Sequence, residues 1–308
     1  MVVSSLTFSN GVKVPIVGLG TDLSKSDSVE NLKTALRAAL DSGYRHIDTA
    51  QVYGTEDAIG DVVAEYIAAG KLTREELFLV TKLPSTHHEP KAVHGVIKQQ
   101  LKSLQTDYID LYLIHNPCPV ATNADGKVVE AKVGPLDTWR TLEDLYNAKV
   151  VRSIGVSNFN QRQIQRILDK GTVPIHNLQI EVHAAFQQHE LIAFASGNGI
   201  TVTAYSPLGS PGKRDANILD HPAVIAIAKK HGKTPGQVCL RLLVQNGIAV
   251  IPKSVNPSRI QANIDIFDFE LTADDMEELK GLDAGKRLFT MPFCQWHSEF
   301  PFHDVREL

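Results

Sequence analysis

The sequence predicts an α/β fold closed as a (β/α)8, or TIM, barrel, and three observations predict it. Short β-rich runs alternate with helical stretches through almost the whole chain. Most of the β-rich runs are continuously apolar, as parallel strands covered on both faces require. Eight such units follow one another within 308 residues, which favours a closed barrel over an open, doubly wound sheet.

The expected strands are 14–19 (VPIVGL), 46–50 (HIDTA), 77–83 (LFLVTKL), 108–115 (YIDLYLIH), 151–157 (VRSIGVS), 177–183 (NLQIEVH), 200–206 (ITVTAYS) and 248–253 (IAVIPK). Between them, residues 28–42 set Leu32, Ala35, Leu36, Ala39 and Leu40 on one helical face, and Gly43 follows as a stop. Segments 55–69, 90–104, 137–148, 160–169, 189–197, 221–231 and 257–265 repeat that pattern. Ahead of the repeat, residues 6–14 (LTFSNGVKV) place Asn10-Gly11 between two strand-like arms, the signal of a β-hairpin positioned to plug the barrel bottom. Residues 235–246 form an additional helix before the last strand. From Leu271 a tail holds a helix over 272–282 and then the aromatic segment RLFTMPFCQWHSEFPFHDV, read as a C-terminal substrate loop. No linker interrupts the pattern, so residues 1–308 read as a single domain.

Composition excludes several classes of partner. Hydrophobic residues make up 43% and charged residues 21%, an ordinary globular balance, and the formal charge of −4 leaves no basic excess for nucleic acid or anionic lipid. The longest apolar runs, LFLV and IDLYLI, are of strand length and too short to span a bilayer. The start, Met1-Val2-Val3-Ser4-Ser5-Leu6, lacks the basic region and apolar centre of a signal peptide. Cys118, Cys239 and Cys294 stand far apart with no C-x-x-C pair, offering neither a disulfide framework nor a zinc site, so a reducing cytoplasm is the expected location. His87, His88 and His94 have no partners at ligand spacing and read as part of a surface loop; no metal is expected.

Active sites of such barrels gather where strands run into the following loops. Asp48 and then Tyr53 follow the second strand, Thr81-Lys82 end the third, and His115-Asn116 end the fourth. Ser157-Asn158 end the fifth, Gln179 lies on the sixth, Tyr205-Ser206 end the seventh and Lys253-Ser254 the eighth. Taken singly, a tyrosine packs, a lysine is solvated and a histidine caps a strand. Converging on one rim, they have a joint chemistry. Reducing a carbonyl needs a hydride on carbon and a proton on the developing alkoxide. An unperturbed tyrosine is a sluggish acid near neutrality, and a nearby cation lowers its pKa. Lys82 supplies that charge, Asp48 orients Lys82, and His115 donates a hydrogen bond to the carbonyl oxygen. The hydride would come from a cofactor.

The motifs GYRHIDTAQVYGTEDAIG (43–60), LFLVTKL (77–83), YIDLYLIHNP (108–117), RSIGVSNF (152–159), TAYSPLGS (203–210) and IPKSVNPSRIQAN (251–263) resemble those of the aldo-keto reductase family, in its order and over nearly the whole chain. The resemblance implies a catalytic tetrad of Asp48, Tyr53, Lys82 and His115, and NAD(P)(H) bound without a Rossmann G-x-G-x-x-G fingerprint. It implies nicotinamide carboxamide contacts from Ser157, Asn158 and Gln179, ring stacking by Tyr205, and a further cofactor contact from Thr21. It also implies a pyrophosphate-crossing loop with Ser206, Leu208 and Ser210, a 2′-phosphate group of Lys253, Ser254 and Arg259, and an adenine contact from Asn263. Ala262 replaces a glutamate common in mammalian members near the adenine. Two cations suit a dianionic 2′-phosphate, so NADPH is expected, with NADH possible.

Well-known members carry tryptophans at the positions of Asp22, Pro84 and Asn116. Their loss here is either plain loop variation or a more polar pocket, which would favour aldoses or short hydroxylated carbonyls over flat aromatic ones. Phe289, Met291 and Trp296 in the tail are candidates to pack over the substrate, or else simply seal the barrel. By the same resemblance a monomer is expected. Two other functions compete. One is a Schiff-base aldolase using a barrel lysine, which leaves Tyr53 without a role. The other is a cofactor-binding regulatory or structural protein on a reductase scaffold, against which the complete tetrad argues.

Overall fold

A computed structural model describes residues 4–24, 26–211 and 217–302. Residues 1–3 of the stretch weighed as a leader and residues 303–308 at the end of the tail lie outside the described residues.

The chain opens on an antiparallel pair, β1 (Ser5–Thr7) and β2 (Lys13–Pro15). Its turn forms because Gly11 adopts φ 83°, the left-handed conformation that lets a bulge follow the bend. The Asn10 amide then donates to Arg152 O at 3.0 Å and to Ser153 Oγ at 3.2 Å, fastening the hairpin to the body.

The parallel strands are β3 (Leu19–Gly20), β4 (His46–Asp48), β5 (Phe78–Leu83), β6 (Leu111–Ile114), β9 (Ile154–Ser157), β10 (Asn177–Glu181), β11 (Thr201–Tyr205) and β12 (Ala249–Val250). They neighbour one another in that order in one 8-stranded sheet. The two edges meet, since Val17 bridges Val250 and Gly20 bridges Lys253, both in parallel. Gly18 N donates to Val250 O at 2.8 Å and Val250 N to Ile16 O at 2.8 Å, so the sheet closes into the expected barrel. The first strand is shorter than sequence suggests. Residues 14 and 15 of the expected 14–19 run belong to the hairpin, because Pro15 pairs with Ser5 before the chain turns upward. A second antiparallel pair, β7 (Val120–Thr122) and β8 (Val128–Glu130), is inserted after β6; its turn holds Asp125-Gly126, a hairpin signal, with Gly126 at φ 76°, and it was not among the expected elements.

Helices fill the connections: α1 (Val29–Asp41), α2 (Glu56–Ala68), α3 (Pro90–Ser103), α4 (Pro135–Asn147), α5 (Gln161–Lys170), α6 (His189–Gly197), α7 (Pro222–His231), α8 (Pro235–Gln245), α9 (Pro257–Ile264) and α10 (Ala273–Lys280). In α1 the five apolar positions of the stripe are the five buried ones, and the Ser28 side chain accepts from Asn31 N to start the helix. Proline opens α3, α4, α7, α8 and α9, where its missing N–H costs no intrahelical bond. One apolar layer, including Leu36, Ile59, Ile97, Leu142, Ile164, Val202 and Ile260, joins the strands to these helices.

Inside the barrel the bottom is filled differently. Phe8 and Val14 of the hairpin pack on Phe78, Val80, Leu111 and Leu113. Side chains on one face of a strand recur every second residue. The inward series that begins Phe78, Val80 therefore continues to Lys82, and the series Leu111, Leu113 continues to His115. An apolar plug below and polar residues above follow from one periodicity.

Candidate active site

Asp48 ends β4 and Lys82 lies near the end of β5. Lys82 Nζ donates to Asp48 Oδ1 at 2.6 Å and to Thr49 O at 2.8 Å, with both side chains almost wholly buried. The other carboxylate oxygen, Asp48 Oδ2, accepts from Gln179 Nε2 at 2.7 Å. A buried ion pair is sustained when hydrogen bonds take up its remaining lone pairs, and Gln179 does that here. Gln179 thus has a structural duty beyond the carboxamide contact that the resemblance implies.

Tyr53 ends a single 3-10 turn, Gln51–Tyr53, which Gly54 terminates at φ 65°. Only a residue free of Cβ strain turns the chain there without cost, and the turn holds Tyr53 over the strand ends. Lys82 Nζ sits 5.0 Å from the Tyr53 ring centroid, and His115 meets the same ring edge to face at 5.7 Å. The structure therefore brings all four tetrad residues together. Burial pushes the Tyr53 hydroxyl well above its ordinary pKa, with Asp48 and Asp22 adding to the rise. The direction is opposite to the lowering expected from the Lys82 charge: burial is the largest influence on the hydroxyl, and the ammonium lies 5.0 Å from the ring centroid. Burial also lowers Lys82, opposed by Asp48. It pushes the His115 imidazole down to about 3, with the Lys82 charge acting in the same direction.

Two supporting groups were not anticipated from sequence. The Thr21 hydroxyl donates to Asp48 O at 2.9 Å and meets Thr55, which in turn meets Thr49 at 2.8 Å. Thr21, expected as a cofactor contact, is thereby part of the frame of the Asp48 turn. Behind β5, the buried Glu56 carboxylate accepts from Thr81 Oγ1 at 2.6 Å and Gln100 Nε2 at 2.9 Å, while Gln100 also donates to Lys82 O at 3.1 Å. Burial raises Glu56. A glutamate on an amphipathic helix carries no sequence sign that it will face inward.

The cofactor candidates occupy the following strand ends. Asn158 adopts φ 62°, a conformation asparagine tolerates better than most residues. Its Nδ2 donates to His115 O at 3.0 Å and Ser157 Oγ at 3.1 Å, and its Oδ1 accepts from Tyr205 Oη at 2.8 Å. Ser206, Gly209 and Ser210 all have positive φ, at 48°, 68° and 48°, so the loop with Leu208 bends tightly after β11. Lys253 is ion-paired with Asp27, whose carboxyl is held down to about 2 by that bond and by Ser24. Ser254 accepts from Asn256 N at 3.1 Å, Arg259 is exposed on α9, and Asn263 is buried beside it. Side-chain amides for a carboxamide, a tyrosine for an aromatic ring and two cations for a phosphate form a donor set suited to a nicotinamide dinucleotide.

The substrate candidates divide. Asp22 is exposed at the rim, close enough for its charge to act on Tyr53 and Lys82. Pro84 is buried at the end of β5. Asn116 is committed locally: Nδ2 donates to Ser85 Oγ at 2.6 Å and Oδ1 accepts from Cys118 N at 3.0 Å, which leaves it less free to read a substrate hydroxyl. In the tail, Phe289 meets Tyr205 edge to face at 5.6 Å. Met291 instead packs with Cys118, Cys294, Phe300 and Phe302, sealing the tail, and Trp296 is 51% exposed against His297. Glu181, unremarked in the sequence, fixes Phe289 by accepting from Leu288 N at 2.6 Å and Phe289 N at 2.9 Å.

His88 is a further correction. It is 1% exposed, not part of a surface loop, because the turn after Ser85–His87 folds it under the rim, where burial pushes it down to about 3. Among the described residues no three His, Cys, Asp or Glu side chains are grouped to hold a metal, and no helix is long and apolar enough to cross a membrane.

A barrel closed below by a hairpin, with a buried lysine and aspartate and a half-buried histidine and tyrosine at its open end, defines a nicotinamide-dependent oxidoreductase site. Residues 17–284 match the Aldo/keto reductase family. The chain is 40% identical to Aldo-keto reductase family 1 member A1 of Mus musculus and 41% identical to that of Bos taurus, in each case over 99% of this chain and 99% of the relative. It superposes on the structure of the aldose reductase from Schistosoma japonicum with a TM-score of 0.90 at 39% identity, covering 98% of this chain and 99% of that one. The chain belongs to the aldo/keto reductase family and is an NAD(P)H-dependent oxidoreductase acting on small carbonyl compounds.

Proposed function

We propose that the protein reduces aldehydes and ketones to alcohols with NADPH, favouring aldoses or small hydroxylated carbonyls, and that Tyr53 donates the proton. The observation that carries this reading is the buried Lys82–Asp48 pair, 2.6 Å long, set beneath the Tyr53 ring with a neutral His115 on its edge. The bound cofactor supplies the hydride. Ser157, Asn158 and Gln179 would hold its carboxamide and Tyr205 its ring. Ser206, Leu208 and Ser210 would follow its pyrophosphate, with Lys253, Ser254 and Arg259 at its 2′-phosphate and Asn263 at its adenine.

This chain's own residues then do the following. His115, kept neutral by burial, donates a hydrogen bond to the carbonyl oxygen and does not compete as an acid. Tyr53, kept protonated by burial, passes the proton from Oη to that oxygen as charge develops on it. The Lys82 ammonium, 5.0 Å from the ring centroid, stabilises the phenolate left behind, so the cation acts after proton transfer and not on the resting phenol. Asp48 and Gln179 keep that ammonium in place throughout.

Asp22 is an exposed carboxylate at the rim, and the aldo-keto and aldose reductase relatives make carbonyl compounds the class to test. NADPH rests on the Lys253 and Arg259 cations. Three free, buried thiols fit a cytoplasmic enzyme, and we take it to be a monomer. The test is a substrate panel with both NADPH and NADH, comparing glyceraldehyde with benzaldehyde-type substrates in the protein and in Asp22→Trp. A shift of preference toward the aromatic aldehyde supports the polar-rim reading; an unchanged preference refutes it. Faster turnover with NADH than with NADPH refutes the cofactor assignment.

A further inference from the structure

Lys253 and Arg259 read in sequence as two cations for one 2′-phosphate, but the structure gives them unequal freedom. Lys253 stands just beyond β12, bridged in parallel to Gly20 of β3. Its ammonium is ion-paired with Asp27, 226 positions away, in the loop between β3 and α1. Asp27 is firmly seated there. Its Oδ2 accepts from Ser24 N at 3.0 Å and Ser24 Oγ at 2.6 Å, and its own N–H donates to Ser24 O at 2.9 Å. With its carboxyl held down to about 2, Asp27 is ionised near neutral pH. Ser254 is engaged as well, since its hydroxyl accepts from Asn256 N at 3.1 Å inside its own turn. Arg259 is exposed on α9, and no carboxylate among the described residues pairs with it.

The Asp27–Lys253 pair is not a core device. Lys253 keeps 30% of its side chain exposed and Asp27 11%, against 0% for Lys82 and 3% for Asp48. An ion pair this open to water contributes little to folding, so its consequence lies in which further anion Lys253 accepts. The carboxylate takes one of the three ammonium donors and neutralises the charge. A nucleotide with a plain 2′-hydroxyl leaves that pair intact. A nucleotide with a 2′-phosphate must share Lys253 with Asp27, against the repulsion of like charges, or displace it. The cost falls on the phosphorylated nucleotide alone.

We propose that Asp27 is a specificity-determining residue for the cofactor: by occupying Lys253 it narrows the advantage of NADPH over NADH, so that the enzyme works with both. This rests on the assignment of Lys253 and Arg259 to the 2′-phosphate. Sequence alone counts two free cations at that end; the structure leaves Arg259 as the one of the two without a carboxylate.

The test is calorimetric titration of the intact protein, Asp27→Asn and Asp27→Ser with NADPH and NADH at low ionic strength. Adenosine 2′,5′-bisphosphate and adenosine 5′-phosphate, which lack the nicotinamide half, are titrated alongside. Both variants are expected to bind NADPH and the bisphosphate a few-fold more tightly, the scale of one partly exposed ion pair, with NADH and the monophosphate unchanged. Unchanged NADPH affinity would overturn the proposal. So would weaker NADPH binding, which would make Asp27 a residue that orients Lys253 for the phosphate, or equal tightening of both cofactors. Lys253→Met separates this inference from the reading beneath it. If that variant weakens the bisphosphate while the Asp27 variants change nothing, only the inference fails. If it leaves the bisphosphate untouched, Lys253 does not meet the 2′-phosphate and both fail.

Discussion

Two groups of charged residues at the strand ends are built in opposite ways. Asp48 and Lys82 are almost wholly buried, and every polar atom of the pair that could be left exposed is met by Thr49 or Gln179. At the other end Lys253 is only partly buried and paired with Asp27, and Arg259 stands in solvent. The difference follows from what each must do. A charge that supports proton transfer is effective when water is excluded and its direction is fixed before the substrate arrives. A charge that recruits a phosphate must stay solvated until the phosphate replaces the water. Desolvation without a partner would only penalise it.

The comparison is broken most severely at the buried end. Lys82→Met is expected to lower kcat/KM by about 10³-fold or more, measured by loss of reduced-nicotinamide absorbance, because the phenolate formed at Tyr53 loses its cation. Asp48→Asn is expected to cost about 10²-fold and to lower the melting temperature, since it leaves a buried ammonium without its counter-charge. A loss under threefold in either variant would show that the pair is structural only.

The exposed end should respond in binding instead. Arg259→Ala is expected to weaken NADPH about tenfold, the scale of one charge-assisted hydrogen bond, while leaving NADH affinity unchanged in a fluorescence titration. Equal weakening of both cofactors would remove Arg259 from the 2′-phosphate. The smallest effect is expected at Asp27. Asp27→Asn frees Lys253 and should tighten NADPH a few-fold at low salt, with the gain shrinking as ionic strength rises.

Acidification tests the buried chemistry separately. His88 and His176 are held down to about 3 and about 4, by burial, against a usual 6.5. Between those values and 6.5 the unfolded chain binds protons that the folded chain does not. Stability is therefore full above pH 6.5 and falls as pH is lowered toward 4, by up to about 1.4 kcal/mol per pH unit for each histidine. Urea unfolding at pH 7 and pH 5 measures it; equal stability would contradict the burial of these rings as neutral groups. Because His115 is likewise held near 3, it should give no inflection in kcat/KM between pH 5 and 8.

The barrel and the tetrad were legible in the sequence for a shared reason. Strand periodicity and strand ends are local signals, and Asp48, Lys82 and His115 each terminate an apolar run. The supports were not legible. Gln179 on Asp48, Glu181 on the backbone of Phe289, and His297 on Pro119 O join positions more than a hundred residues apart, and no local pattern encodes such pairings. The tail was the least legible part. Met291, Phe289 and Trp296 look alike as apolar residues in an aromatic stretch, yet one is buried among the thiols, one meets Tyr205 and one faces solvent. Acidity was misjudged for a related reason: a sequence places Lys82 near Tyr53 but says nothing of how much water surrounds the hydroxyl.

The central claim is that Tyr53 is the proton donor, and Tyr53→Phe tests it most directly. The substitution keeps the ring against His115 and over Lys82 while removing only the hydroxyl. The account predicts that turnover of glyceraldehyde with NADPH falls by about 10³-fold or more, while NADPH still binds with unchanged affinity by fluorescence titration. Turnover retained within about tenfold of the unsubstituted enzyme, with the cofactor bound, would contradict it.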